Sequence, residues 1–61
     1  MNAACYIIRA DNKGGIRCLC KSGALVVIAP SSDCVLRFPT RELAEQACST
    51  IDGAWVSPIW A

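Results

Sequence analysis

The chain has 61 residues, a formal net charge of +1, 54% apolar and 18% charged residues, and no histidine. That length makes one domain, residues 1–61, which buries only about 60% of the surface its unfolded form exposes. The composition excludes a disordered chain and the net charge excludes a strong overall field. The missing histidine excludes Ser-His-Asp and Cys-His catalysis and every histidine metal site.

Cys5-Tyr6-Ile7-Ile8-Arg9 is β-branched and aromatic and reads as a first strand. Asp11-Asn12-Lys13-Gly14-Gly15 is a turn. Ile16-Arg17-Cys18-Leu19-Cys20-Lys21 alternates and reads as a half-buried second strand. Ser22-Gly23 is a two-residue hairpin connector, and the apolar run from Ala24 to Ile28 predicts a well-buried third strand. Pro30-Ser31-Ser32-Asp33 breaks it, and Cys34-Val35-Leu36-Arg37-Phe38 predicts a fourth strand.

A helix follows. Thr40 supplies a capping hydroxyl, Glu42 an anion in the first turn, and Leu43, Ala44, Ala47, Cys48 and Ile51 a single apolar stripe. Asp52-Gly53 ends it. Residues 54–60 predict a last strand at a sheet edge, because Pro58 cannot donate to a ladder. The fold class is therefore α+β: a small antiparallel sheet of four to five strands with one helix on one face, in the order β-β-β-β-α-β.

One helix shields one side of a sheet. The shielded core is expected to hold Tyr6, Ile8, Ile16, Cys18, Cys20, Val26, Leu36, Phe38, Leu43, Ala47, Cys48 and Ile51. The opposite side is expected to carry Ile7, Arg9, Arg17, Leu19, Lys21, Val35 and Arg37. Four of the six basic residues thus fall on strands, whereas all five acids fall in turns or on the helix. Cations mixed with apolar residues on an uncovered face suit an interaction surface. A solvated face with a few tolerated apolar residues is the plainer alternative. The candidate partner-binding residues are Arg9, Arg17, Leu19, Lys21, Arg37 and Trp60. Trp55 and Trp60 are an odd number of residues apart, so a regular strand turns them to opposite sides, one capping the core and the other exposed; a bulge at Pro58 that turns both inward is the alternative.

The five cysteines are expected as free thiols packing as small hydrophobes. Cys18, Cys20, Cys34 and Cys48 lack the paired Cys-x₂₋₄-Cys spacing of a structural zinc site. No cofactor or metal is expected, and no enzyme activity. Gly14-Gly15 has neither a following helix nor a Gly-Lys-Ser/Thr, so it makes no phosphate loop. The longest apolar run, residues 24–29, is far below the roughly 20 residues that span a bilayer. No secretion signal opens the chain, so a cytoplasmic product is expected.

Tyr6-Ile7-Ile8-Arg9, then Arg37-Phe38-Pro39-Thr40-Arg41-Glu42-Leu43-Ala44-Glu45-Gln46-Ala47, then Val56-Ser57-Pro58-Ile59 together resemble very short phage and prophage proteins. In these an opening strand, a hairpin, a Phe-x-Thr-x-Glu-x-Ala-Glu helix entry and a closing Val-x-Pro-Val strand form a compact sheet with one helix. Small anti-CRISPR proteins come from this pool. The resemblance implies a non-catalytic inhibitor that docks stoichiometrically on a host defence complex, such as a CRISPR effector subunit, in the host cytoplasm. It assigns no functional residue, because the matched positions explain folding. A self-associating structural module, joined as a homodimer through the uncovered face, and a small nucleic-acid-binding protein remain the alternatives.

Overall fold

The structure, a computed structural model, describes residues 3–11 and 14–60. Asn12 and Lys13, expected in the first turn, lie outside the described residues. Four strands and one helix follow in the order β1 (Ala3–Arg9), β2 (Arg17–Leu19), β3 (Leu25–Val27), α1 (Arg41–Cys48) and β4 (Trp55–Trp60). The strands form one antiparallel sheet ordered β3-β2-β1-β4. The chain is a small α+β fold, with β4 at an edge as Pro58 predicts.

The expected fourth strand is not a regular strand. Residues 34–38 instead wedge between β1 and β2, which pair directly only at Arg9 and Cys18. Leu36 N–H donates to Leu19 O at 2.9 Å on one side of the wedge. Tyr6 and Phe38 exchange backbone hydrogen bonds of 2.9 and 2.8 Å on the other. The two flanking strands diverge, so the wedge bridges each at one point, Cys20 with Val35 and Tyr6 with Phe38, and continues along neither.

The first hairpin also differs from expectation. Gly23 N–H donates to Cys20 O at 2.8 Å and Cys20 N–H to Ala24 O at 2.9 Å, which makes Lys21-Ser22-Gly23 a three-residue loop. Gly23 has φ +91°, the left-handed geometry that closes such a loop. Lys21 therefore lies in the turn and not on β2.

Register decides the faces. Arg9 opposes Cys18 and Trp55, so these three share a face with Ile7, Cys20, Ser57 and Ile59. Tyr6, Ile8, Arg17, Leu19, Val56 and Pro58 take the other face. The helix lies over that second face: it packs on β1 and β4, and the Arg41 guanidinium sits 5.2 Å from the centre of the Tyr6 ring. The expected sorting of β2 is thus inverted, with Cys18 and Cys20 away from the helix and Arg17 and Leu19 toward it. A one-residue change of phase moves every side chain of a strand to the opposite face.

Nor is the far side uncovered. Ile7, Cys18 and Val35 are fully buried there, with Ile28 and Ile59 packed against them. Cys18 Sγ lies 3.7 Å from Ile28 O, so the connection leaving β3 closes over this layer. On the helix side Ile8 and Ala44 are fully buried and Leu19 nearly so. Burial on both faces of β1 explains its continuous Tyr6-Ile7-Ile8 run. Ile16, Val26 and Leu43, expected in the core, are exposed. β3, expected to be well buried, is the other sheet edge.

The helix begins where the sequence puts it. Thr40 Oγ1 accepts from Leu43 N–H at 3.3 Å, and Glu42 sits in the first turn. It ends earlier than the stripe suggests. Ser49 Oγ and Thr50 Oγ1 donate to Gln46 O and Ala47 O at 2.8 and 2.9 Å, the local bonding by which such residues compete with a helix ladder. Ile51 therefore lies in the turn beyond α1, half-buried.

Candidate functional site

The six candidate residues do not come together. Arg17 is turned to the helix side, where its Nε donates to Ala10 O at 3.0 Å. Leu19 is buried. Lys21 is exposed in the hairpin loop. Arg37 stays on the far side, but its guanidinium donates to three carbonyls of its own chain: Ser32 O at 3.1 Å, Val35 O at 3.3 Å and Ser31 O at 3.5 Å. It fastens the connection after β3 to the sheet. The expected basic face is therefore not formed, because register divides its members and backbone acceptors engage two of them.

Arg9 remains, and it makes both an ion pair and a ring contact. Asp11 receives it as a fork, Nη2 to Oδ2 at 2.7 Å and Nε to Oδ1 at 3.3 Å. Its guanidinium carbon lies 6.0 Å from the centre of the Trp55 ring, at the outer limit of a cation–π contact. Cross-strand pairing of Arg9 with Trp55 puts them there, and Asp11, two residues on, fixes the fork. A partly exposed ion pair contributes at most about 1 kcal/mol to stability. Its local consequence is order: three side chains of different chemistry are held in one arrangement.

Trp55 is 44% exposed and Trp60 58% exposed, at opposite ends of β4. Both are exposed, so neither the expected arrangement with one tryptophan buried nor an inward turn of both at Pro58 is formed. Trp60, a candidate, is therefore at the surface, and so is Trp55, which with Asp11 was not among the candidates. Nothing in the sequence pairs Trp55 with Arg9, since the pairing depends on the register between the first and last strands.

The described residues contain no group of three or more His, Cys, Asp or Glu that could hold a metal ion. The cysteines are free; Cys18 and Cys20 are buried and Cys34 is exposed. Burial pushes the Cys18 thiol above its ordinary value of 9.0, Arg9 opposes this, and Cys20 and Asp11 add to it. One surface hollow of about 370 Å³ is lined by Cys20, Lys21, Ser22, Asp33 and Cys34. Among the described residues no helix is long and apolar enough to cross a membrane. No family model matches this chain, and no curated protein or solved structure matches it either.

Proposed function

We infer that this chain is a non-catalytic protein ligand that acts by stoichiometric docking on a larger protein. Inhibition of a host defence complex in the host cytoplasm, as by small anti-CRISPR proteins, is the role that its resemblance to short phage proteins suggests. The observation that supports docking is the pair of exposed tryptophans on the edge strand β4, one of them beside an arginine already oriented by Asp11. Tryptophan and arginine are the residues most enriched among those that dominate binding energy. Ordering them beforehand lowers the entropy lost on association. The docking surface in this reading is Trp55, Arg9 and Asp11 together with Trp60, and not a basic sheet face.

A titration into reconstituted CRISPR effector complexes, read as target-DNA cleavage, tests the role. Cleavage should stop at a fixed molar ratio of the chain, and Trp60→Ala and Trp55→Ala should each move that end point to a clear excess. Inhibition by far less than one chain per complex would argue for catalysis. Full cleavage with every effector type would remove the defence role. The nucleic-acid alternative is less favoured, since Arg9, Arg17 and Arg37 all bond acceptors of their own chain.

A further inference from the structure

The two edges of the sheet are chemically unlike. On β4, Tyr6 bonds its N–H and C=O toward Phe38, so the opposing Pro58 directs its backbone outward. Proline there deprives that edge of a donor, a common protection against strand addition. β3 has no such protection. The flanking Ala24 C=O and Ile28 N–H bond toward the β2 segment, so alternation sends the N–H and C=O of Leu25 and Val27 outward, where no further strand lies among the described residues. Val27 is 65% exposed and Val26 38% exposed. No charged residue occurs between Lys21 and Asp33.

We propose that β3 is a self-pairing edge, and that its occupant is the β3 of a second copy, antiparallel about a two-fold axis at Val26. Outward-facing donors and acceptors select an extended backbone. Their placement fits this chain's own strand, whose apolar side chains and uncharged flanks raise no repulsion against a second copy. Leu25 and Val27 flank Val26 symmetrically, so the two-fold sets Leu25 of each copy opposite Val27 of the other, in two pairs that each exchange both backbone hydrogen bonds, about four in all. Val26 then meets its own counterpart across the closer, non-hydrogen-bonded pair on the far side of the sheet. Val27, the most exposed large aliphatic side chain among the described residues, is covered by Leu25 of the other copy on the helix side. The uncharged flanks put no like charges in apposition. The result is one sheet continuous through both copies, with the β4 edges and their tryptophans at its two ends, free for other contacts.

Sedimentation equilibrium and amide hydrogen exchange test this on the intact chain. The mass should rise from 6.5 kDa toward twice that between about 10 µM and 1 mM. Over the same range the Leu25 and Val27 amides should become protected. Val27→Pro keeps an apolar side chain and removes one outward donor without touching the β2 ladder; it should weaken dimerisation by at least about tenfold. Val27→Lys, which retains the N–H, should do the same by charge repulsion. A wild-type chain that stays monomeric at the top of the range would overturn the proposal. So would a dimer in which the Leu25 and Val27 amides exchange as fast as in the monomer, or one that both variants leave intact.

Discussion

Thr40 Oγ1 is the acceptor that the Leu43 N–H uses at the start of α1. Thr40→Ala should destabilise the chain by about 1 kcal/mol. In a domain this small that lowers Tm by roughly 4–8 °C, read from the far-ultraviolet circular dichroism melt. Thr40→Ser should restore most of it. Arg17→Ala removes the bond to Ala10 O and should cost about 1 kcal/mol, whereas Lys21→Ala, in an exposed turn, should leave Tm nearly unchanged. Equal losses for the two would contradict the placement of Arg17. The thiols should separate in a similar way. At neutral pH an aromatic disulfide reagent should modify exposed Cys34 first, and buried Cys18 and Cys20 only on the timescale of unfolding. Because folding raises the Cys18 value, the native state keeps that proton to higher pH than the unfolded chain. Its effect on stability is therefore nil below about pH 9 and becomes a loss as pH rises beyond it.

The strands carry the account of the core. β1 is central and buried on both faces, so Ile7 and Ile8 belong to different layers of packing. Ile7→Val should cost about 1 kcal/mol and Ile7→Ala roughly 2–5 kcal/mol, the latter a large share of what a chain this short possesses. An Ile7→Ala variant with an unchanged denaturation midpoint would mean the far side is open after all. Local chemistry made several elements legible beforehand: the Thr40 cap, the Gly23 turn and the edge position forced by Pro58. The wedge of residues 34–38 was not legible. Its alternation matches a strand, but its pairing is interrupted because β1 and β2 diverge around it. The phase of β2 was not legible either, since Ile16, Cys18 and Cys20 make as good an apolar face as Leu19 alone makes a poor one. Only the pairing of Arg9 with Cys18 resolves which side meets the helix.

At the scale of the whole molecule, both faces of the sheet are covered among the described residues. The helix closes one side, and the connection after β3, fastened by Arg37, closes the other. The proposed contacts therefore lie along the edges, at the exposed tryptophans of β4 and at the outward-facing backbone of β3. The sequence made Trp60 a candidate for its exposure but assigned the other candidates to a basic face, because it could not show that Arg17 and Arg37 would be engaged by carbonyls of their own chain. The chain labelled with 5-fluorotryptophan offers the most direct test, because it holds only two tryptophans. Fluorine spectra should show both resonances solvent-exposed in the free protein, by their shift between light and heavy water. On saturation with the protein captured by the tagged chain from host lysate, at least one of them should move and lose that solvent shift. Two resonances unchanged at saturation would contradict docking through the β4 edge.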